Sequence, residues 1–454
     1  MSALSIAMIW LALQAAAPLQ GTPSLSETDR TALAQMLGRA DQEGLDPRRF
    51  TAGSTDEDLR ATAVRFAAAE HGLVQQPFPK NWAVRPAPYD AAKDFDAALR
   101  EGRIVTWTRS LAPSAPGYAN LLAALARYRE MAEHGGWTMV GPGPRLKPGD
   151  RGDRVRRLRE RLAAEGLKAD PPADTAQFDE GLSQMLRTYQ ALHGLDETGV
   201  LDPRTQASVD VALDRRIDQI RANLERWRWL PRPMPSRRIE VNVAGARLIY
   251  YANDGEPLVM RTVVGKPSTP TPMLQDRIEA LIINPPWNVP AKIAAREILP
   301  KAARDPSYLS REGFVVRAGR GGPAVQQKPS ARCALGHVKF DLPNPFDVYL
   351  HDTPTRSAFD RPDRDLSHGC VRVQKADDLA RSVLANENAW STAQVEAAMA
   401  ETETRRIPLV RPLPVFLLYW TAWAKSDRTA AFRDDIYRWD PIVLRLIQAD
   451  PAAP

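Results

Sequence analysis

The residues best suited to covalent chemistry lie around the segment SHGCVRV, which contains Cys370. The chain has two cysteines and six histidines, and His337, His351 and His368 all precede Cys370 within one short stretch. Gly369 removes a side chain at the point where a substrate backbone would have to approach. A thiol with an imidazole close enough to take its proton is the minimum requirement for thiolate catalysis. This pattern favours a nucleophilic cysteine over a buried structural cysteine or a metal ligand.

Two short predicted strands would bring the thiol and a histidine together. In DVYLHDTP, Tyr349 and His351 fall on the same face of an extended segment. In GCVRV, Cys370 and Arg372 share a face in the same way. Neighbouring strands lie about 5 Å apart, so His351 could reach the Cys370 sulfur. His368 would also lie on that face if its own residue is extended, and the spacing therefore leaves two candidate bases.

Length and composition indicate a soluble globular chain of several domains. The chain has 454 residues, of which 44% are hydrophobic and 26% charged, and its net charge is +6. The excess of positive charge is spread along the chain, without the basic–aromatic stripe typical of nucleic-acid binding. The densest basic run, RVRRLRER at 154–161, flanks an apolar helical stripe, so we interpret it as a solvated helix face.

The N-terminus predicts export. Residues 3–17 are apolar, no charge occurs before Glu27, and Ala15-Ala16-Ala17 offers a small-residue cleavage site. The segment is short for a membrane span. We therefore expect residues 1–24 to be a signal peptide or, if uncleaved, a weak membrane anchor, although the usual basic residues before the apolar run are missing. With no cysteine nearby, acylation as a lipoprotein is excluded, and two cysteines do not make a disulfide scaffold.

The remaining chain divides into helical and β-rich parts. Residues 25–140 are predicted to form a helical scaffold, with Ser26 as the first N-cap and Gly135-Gly136 as the last stop. Residues 141–212 are predicted to form a compact module of three helices, the third opened by Asp202 and Pro203. A linker helix at 213–236 follows. From 237 to 454 the apolar period changes to two, which predicts a β-rich domain and a multidomain α+β fold overall.

Two parts of the chain resemble known families. The module at 141–212, with L-x-x-G-x-x-G-x-x-V-x-x-L and a later G-x-L-D-P-x-T, resembles the peptidoglycan-binding-one family of three-helix modules. VYLHDTP followed by SHGCVRV resembles the active-site signature of the L,D-transpeptidase (YkuD-type) catalytic domain. Segments such as INPPWNVPAKIAAREILP and RPLPVFLLYWTAWA resemble its large periplasmic subfamily, which has a helical scaffold and a peptidoglycan-binding module. In that subfamily, residues 285–332 correspond to a capping insertion over the acyl-donor groove.

The resemblance implies a role for each site residue. Cys370 is the expected nucleophile and His351 its base, oriented by the backbone carbonyl of Asp352. The amides of Gly369 and Cys370 are the expected oxyanion hole. The remaining expected roles concern the pocket: Ser367 and His368 shape its floor, and Arg372 supports it or meets a substrate carboxylate. Tyr349 and Trp287 line the pocket, although core packing explains Trp287 equally well. His337 is interpreted as a strand residue.

The resemblance also implies a reaction and its partners. The expected activity is a third-to-third cross-link between peptidoglycan stem peptides, made through a cysteine thioester with release of D-alanine from a tetrapeptide donor. Water as acceptor would make the enzyme an L,D-carboxypeptidase, and a lipoprotein lysine would make it an anchoring enzyme. The expected partners are stem peptides, glycan and other cell-wall synthases in the periplasm, with membrane contact through an uncleaved N-terminus alone. No cofactor, metal or nucleic acid is expected, and carbapenems would acylate Cys370.

Two more distant interpretations and one departure stay open. A metallopeptidase would use His337, His351, His368 and Cys370 as zinc ligands, although no H-E-x-x-H motif is present. A wall-binding scaffold without catalysis is the other interpretation. The departure is Cys333, which stands where the family has asparagine. If it lies close to Cys370, an oxidising compartment could join the two sulfurs.

Overall fold

The computed structural model describes residues 24–448 apart from 74–77, 171, 320–321 and 388–389. The predicted signal segment therefore lies almost wholly outside the described residues. Within the described part of the chain, no helix is both long and apolar enough to cross a membrane.

The helices dominate the first half of the chain. Their bounds, in chain order, are α1 Glu27–Leu37, a 3₁₀ helix Pro47–Phe50, α2 Asp56–Glu70, α3 Ala91–Arg100, α4 Ile104–Ser110, α5 Pro116–Glu133, α6 Asp153–Ala164, α7 Glu180–His193, α8 Pro203–Val209, α9 Leu213–Arg228, α10 Ala291–Ile293, a π-helix Ala294–Ile298, α11 Leu299–Arg304, α12 Tyr308–Arg311, a 3₁₀ helix Arg356–Asp360, α13 Ala376–Ala385, α14 Thr392–Ala400 and α15 Asp440–Gln448.

The strands all follow the last long helix of the first half. Their bounds, in chain order, are β1 Arg238–Asn242, β2 Arg247–Tyr251, β3 Leu258–Gly265, β4 Leu274–Ile283, β5 Trp287–Asn288, β6 Phe314–Gly319, β7 Gly322–Gln327, β8 Val338–Asp341, β9 Leu350–His351, β10 Asp365–Ser367, β11 Val371–Val373, β12 Arg405–Leu418, β13 Ala422–Ala424 and β14 Ala430–Phe432.

The helical N-terminal region is confirmed. α1 begins with a capping box, in which the Ser26 side chain and the Asp29 carboxylate satisfy each other's free backbone N–H groups. Helices α1 to α4 share one apolar core. α5 contributes instead to a second core, which it forms with α9, β13 and β14. The helical region therefore has two centres of packing, and the second ties it to the β-rich part.

The three-helix module also has its own core. α6 buries Val155, Leu158 and Leu162, and α7 buries a matching apolar stripe. The interpretation of the 154–161 run as a solvated face is wrong for Arg161, which is fully buried. Arg161 Nη2 lies 2.7 Å from a Glu165 carboxylate oxygen, and its Nε donates to the Val209 carbonyl at 2.9 Å. Because both partners come from within the module, the arginine joins α6 to the end of α8.

The linker helix α9 carries a buried charge network. Arg228 Nη2 lies 3.0 Å from the carboxylate of Glu70 on α2 and 2.9 Å from the Tyr118 hydroxyl on α5. Arg228 Nη1 lies 3.3 Å from Glu225 on α9 itself. A buried cation without such partners would be very costly, so this network fixes the linker helix against both helical cores.

The β-rich part is built on one nine-stranded sheet that closes on itself. The strand order is β10-β3-β11-β9-β8-β4-β12-β1-β2, and β2 also pairs with β3. Alternate residues of β1, such as Ile239 and Val241, point into the core within this ring. The pairing of β9 with β11 is parallel. This pairing sets the two segments that carry the predicted chemistry side by side.

The region predicted as a capping insertion forms a small unit of its own. Strands β5, β7 and β6 make a three-stranded sheet, and helices α10 to α12 pack on it around Val289, Ile298 and Phe314. The polar Gly/Pro stretch AGRGGPAVQQKPSARC has the composition of a loop, yet six of its residues form β7, which pairs antiparallel with β6.

Candidate active site

The parallel pairing of β9 and β11 places the candidate nucleophile and base on one face. His351 lies opposite Arg372 in this register. Residues opposite each other in adjacent strands share a face, and alternate residues of a strand do so too. Tyr349 and His351 therefore face the same side as Cys370 and Arg372. The shared face that the strand pattern predicts is therefore present.

His351 is held with one ring nitrogen free. The ring is buried, and Nδ1 lies 2.5 Å from the Asp352 carbonyl oxygen. Since a carbonyl oxygen only accepts, Nδ1 carries the proton and Nε2 carries the lone pair. Burial, reinforced by the positive charge of Arg372, lowers the pKa of His351 to about 3. The imidazole is therefore neutral at ordinary pH and able to accept a proton at Nε2.

The Asp352 side chain braces the same turn. One carboxylate oxygen accepts the His337 backbone N–H at 2.9 Å, and the other lies 2.7 Å from Arg356 Nη2. A Cβ on Gly336 would come within 2.0 Å of this carboxylate, so only glycine fits there. Burial raises the pKa of Asp352. The residue thus orients the ring of His351 through its carbonyl while its side chain fixes the backbone that carries that carbonyl.

The thiol of Cys370 is protonated at rest. Burial raises its pKa, and this effect outweighs the opposite influence of Tyr349, Lys339 and Arg372. The thiol and the imidazole of His351 are consequently a neutral pair rather than a thiolate–imidazolium pair. If this sulfur acts as a nucleophile, its proton would have to leave as it attacks, which would be general-base catalysis.

The electrostatic environment of Tyr349 includes the Cys370 thiol. Burial raises the pKa of Tyr349 well above its usual range, and interaction with Cys370 raises it further, whereas the neighbouring Trp287 lowers it. Lys339 Nζ lies 4.5 Å from the centre of the tyrosine ring. Trp287 also packs against Phe314 of β6, so it belongs both to the pocket wall and to the core of the insertion.

Ser367 fixes the loop that carries Cys370. Its hydroxyl donates to the Cys370 carbonyl at 2.6 Å and accepts the Gly369 N–H at 3.0 Å. Gly369 has φ +120°, a conformation that side-chain-bearing residues rarely adopt. The Gly369 amide, expected in the oxyanion hole, is therefore engaged by Ser367 in this conformation. This amide could donate to an oxyanion either through a hydrogen bond shared with Ser367 or after its hydrogen bond to Ser367 has broken.

A second clamp on this loop was not foreseen from the sequence. The buried Thr271 hydroxyl donates to the Gly369 carbonyl at 2.7 Å and accepts the Gly265 N–H at 2.8 Å. The Tyr437 hydroxyl in turn donates to the Gly265 carbonyl at 2.5 Å and accepts the Thr271 N–H at 3.2 Å. Thr271 lies in the segment KPSTPTP and Tyr437 in FRDDIYRWD, and nothing in either pattern shows that the two residues meet.

The other two histidines of the region each lie against a carboxylate. His368 Nε2 lies 2.7 Å from Glu297 on the π-helix of the insertion, and the ring is partly exposed. His337 Nδ1 lies 3.3 Å from Asp377. The ambiguity between two bases therefore favours His351, whose face is shared with Cys370.

The zinc set considered above is not assembled. Among the described residues, the side chains close enough to share a metal ion are those of His337, Asp352 and Asp377. His351 and Cys370 take no part in that cluster, and Arg356 already lies against the Asp352 carboxylate. The arrangement gives no support to metal ligation by the cysteine.

Arg372 and Cys333 complete the surroundings. Burial lowers the pKa of Arg372, and the guanidinium makes no ion pair with a carboxylate in the described part of the chain. It is thus available to a negatively charged substrate group. The Cys333 thiol is fully buried and donates to the Pro285 carbonyl at 3.4 Å. Both cysteines are free, so the structure contains no bond between the two sulfurs.

Comparisons with known proteins agree with the geometry. Residues 236–396 match the family model of the YkuD-type L,D-transpeptidase catalytic domain, and residues 151–208 match a "Putative peptidoglycan binding domain". Both resemblances inferred from the sequence are confirmed for these parts of the chain. A curated "Putative L,D-transpeptidase" of Haemophilus influenzae is 34% identical over 218 residues, covering 44% of each protein. The chain thus spans less than half of that relative's length.

Solved structures are more distant. The L,D-transpeptidase of Xylanimonas cellulosilytica is 15% identical, with a TM-score of 0.20, and the match covers 61% of this chain and all of that one. The L,D-transpeptidase of Mycobacterium smegmatis is 14% identical, with a TM-score of 0.23, and the match covers 40% of this chain and 58% of that one. At such scores the family assignment rests on the sequence matches.

Proposed function

We propose that the chain, which carries a YkuD-type L,D-transpeptidase catalytic domain, is a peptidoglycan L,D-transpeptidase that works through a thioester on Cys370. One observation supports this most strongly. The His351 ring is fixed by its Nδ1–H bond to Asp352, and its free Nε2 is on the face that carries the sulfur. A nucleophile, a base and a group that orients the base are the components that covalent acyl transfer requires.

In the first half-reaction the acyl group passes to sulfur. Nε2 of His351 takes the thiol proton while the Cys370 sulfur bonds to the carbonyl carbon of the third residue of a tetrapeptide stem. The carbonyl electrons move onto oxygen, and backbone amides of the 369–370 loop stabilise that charge, each worth about 3 kcal/mol. The oxyanion then collapses, His351 gives its proton to the departing amine, and D-alanine leaves. A thioester remains on Cys370.

In the second half-reaction the acceptor decides the product. A side-chain amine of a neighbouring stem attacks the thioester carbon and loses its proton to His351, and the sulfur leaves and regains a proton. The product is a third-to-third cross-link. Attack by water would give an L,D-carboxypeptidase, and attack by a lipoprotein lysine would give an anchoring enzyme. Of these acceptors we favour the stem peptide, because the match to a peptidoglycan-binding module suits an enzyme held on its polymeric substrate.

The proposal extends to organisation and location. Residues 25–140 would serve as a scaffold, 141–212 as a wall-binding module and 285–332 as the cap over the acyl-donor groove. The Glu297–His368 contact supports the last assignment, because it joins the insertion to the loop of the nucleophile. An enzyme that acts on cross-linked peptidoglycan works outside the cytoplasm. We propose the periplasm, with other wall synthases as partners and membrane contact through the N-terminal segment alone.

The test is intact-mass analysis of the full chain with disaccharide tetrapeptide. We expect an acyl-enzyme adduct on wild type, none on Cys370→Ala, and a cross-linked dimer as product. A trimmed monomer without dimer would establish the carboxypeptidase instead. Full activity after alkylation of Cys370, or loss of activity in a chelator with the thiol intact, would contradict thioester chemistry and favour a metallopeptidase. An unchanged product profile for Cys370→Ala would indicate a scaffold without catalysis.

A further inference from the structure

A cavity that no part of the proposed reaction uses lies on the outer surface of the closed sheet. Its volume is about 610 Å³, within the range of roughly 300–1,000 Å³ that is usual for small-molecule sites. Its floor is the outward face of β1 and β2, and its walls come from α9, β13 and the segment before α5. None of its lining residues belongs to the candidate active site.

The walls are aromatic. Trp227 of α9 and Trp420 stack on each other with ring centres 4.9 Å apart, and Trp423 of β13 and Tyr251 of β2 extend the surface. Trp423 is partly exposed, so its ring is accessible from the cavity. Such rings offer large apolar faces to which the C–H faces of a sugar can pack.

The cavity also has an excess of unpaired positive charge. Its carboxylate, that of Glu240, is neutralised by Arg238 at 2.6 Å. Arg433 donates through Nη1 to two backbone carbonyls, at 2.7 and 2.8 Å, and forms no ion pair with a described carboxylate. Burial, together with the nearby positive charges of Arg364 and Arg247, lowers the pKa of Arg433 to about 10. Arg247 is exposed on β2 and is likewise without an ion pair in the described chain. Two guanidinium groups that line one cavity without a paired carboxylate are a ready site for a carboxylate ligand.

The backbone around the cavity excludes one class of ligand. β2 is paired along both edges, with β1 and with β3. An extended peptide therefore cannot bind here by adding a strand, which would require a free edge. The ligand must be held by ring faces and guanidinium groups. We propose that this cavity is a second ligand site that binds an acidic saccharide of about disaccharide size, with its carboxylate on Arg247 and Arg433 and its rings against Trp423.

The site would complement the proposed catalysis without taking part in it. A glycan held here would be bound by the catalytic part of the chain itself, in addition to the three-helix module. The shape and charge of the cavity support a second site independently of the proposed function. The proposed function enters in the choice of probe, which is N-acetylglucosaminyl-N-acetylmuramic acid, a disaccharide with one carboxylate and no stem peptide.

The experiment is calorimetric titration of the full chain with this disaccharide. We expect saturable binding to wild type, and a loss of affinity of about tenfold or more in Arg247→Glu and in Trp423→Leu, since each removes a principal contact. The matched control is Arg445→Glu, which changes an exposed arginine on α15 outside the cavity and should bind as wild type does. A neutral disaccharide of the same size should bind at least about tenfold more weakly, because it lacks the charge-assisted contacts.

Several outcomes would overturn the inference. These are no binding by wild type, unchanged affinity in both cavity variants, equal affinity for the neutral disaccharide, displacement by equimolar inorganic phosphate, and preference for an acidic proline-rich peptide. Turnover of the tetrapeptide by Arg247→Glu separates this inference from the proposed function. Wild type that turns over the tetrapeptide but does not bind the disaccharide would refute the second site alone, whereas absence of an acyl-enzyme on wild type would refute the proposed function alone.

Discussion

Glu297 Oε1, on the π-helix of the insertion at 285–332, lies 2.7 Å from Nε2 of His368, and His368 precedes Cys370 by two residues. The contact joins the insertion directly to the loop of the proposed nucleophile. Removing its charge in Glu297→Gln should loosen the insertion and raise KM for the tetrapeptide by about two- to fivefold, as befits a partly exposed pair. kcat should stay within about twofold of wild type, because the pair does not contact the sulfur. Glu312→Gln, which changes another glutamate of the insertion, is the control, and an equal rise in KM there would contradict the role given to this pair.

The assignment of the base predicts an unequal effect of two substitutions. His351→Ala should slow formation of the acyl-enzyme by about 10²- to 10⁴-fold, the range typical of general-base catalysis. His368→Ala should slow it far less, since that ring contacts Glu297. Single-turnover mass spectrometry measures both rates, with His337→Ala as the control for a nearby histidine bound to Asp377. The reverse ranking of His351 and His368 would refute the assignment.

The neutral resting pair predicts an unusual response to pH. Because the pKa of Cys370 is raised by burial, its alkylation by neutral iodoacetamide should accelerate with pH and reach its midpoint above the ordinary thiol value of about 8.5. Because the pKa of His351 is lowered to about 3, the rate of acylation should not fall as pH is lowered through 6.5. Rates measured from pH 4.5 to 10 test both statements. An alkylation midpoint near neutrality would show a thiolate–imidazolium pair instead.

The hydrogen bonds of Thr271 to the loop that carries Cys370 predict different effects for two substitutions of this threonine. Thr271→Val would leave the Gly369 carbonyl and the Gly265 N–H without their buried partner, which costs about 1–3 kcal/mol of unfolding free energy. It should also lower kcat more than it raises KM, and Thr271→Ser should restore both. The control is Thr262→Val, since the Thr262 hydroxyl is equally buried but has no hydrogen-bond partner among the residues that the structure describes. Urea unfolding and steady-state kinetics give the comparison, and equal losses in the two valine variants would count against the clamp.

The interface between the three-helix module and the β13–β14 pair predicts loss of stability in acid. Burial lowers the pKa of His193 to about 4, and its Nδ1 accepts the Phe432 N–H at 3.3 Å. Burial alone would raise the pKa of Glu165, but Arg161 and His193 lower it to about 2. His193 and Glu165 therefore bind protons at a higher pH in the unfolded chain than in the folded protein. The free energy of unfolding should therefore fall as pH drops from about 6.5 toward 4, and further below about 4.5 as Glu165 contributes.

His193→Gln isolates the first of these effects. The variant lacks a group that titrates in this range, so the loss of stability between pH 7 and pH 4.5 should be smaller than in wild type. Chemical denaturation at the two pH values measures the difference. His134→Gln, which changes an exposed histidine at the end of α5, should behave as wild type does. The prediction fails if His193→Gln loses as much stability as wild type over that range.

Local patterns were enough to predict what depends on neighbours in sequence. The Ser26 cap, the stripe that contains Val155 and the alternation at Ile239 follow from periods of 3.6 and 2, and all three are present. The shared face of His351 and Cys370 required one more assumption, that their strands are adjacent. The family resemblance supplied it, together with the contact to the Asp352 carbonyl.

Contacts between distant segments could not be read from such patterns. Thr271 and Tyr437 are far apart in sequence, and their meeting depends on how the C-terminal segment lies across the end of β3. Burial of Arg161 depends in the same way on where α8 ends. The π-helix that carries Glu297 has no signature that sets it apart from an ordinary helical turn. Each of these features arises from tertiary packing, which a single sequence does not encode locally.

The position of β12 has a consequence for how the chain is made. This strand lies between β4 and β1 in the sheet, although it follows both of them by more than a hundred residues and begins beyond residue 396, where the family match ends. During synthesis or translocation, β1 and β4 must wait with open edges that could pair with other chains. A fragment cut at the family boundary would keep every proposed catalytic residue and still leave those edges open, so we expect it to aggregate. We therefore expect the chain to depend on chaperones that shield β-strands until β12, which ends at Leu418, has been synthesised.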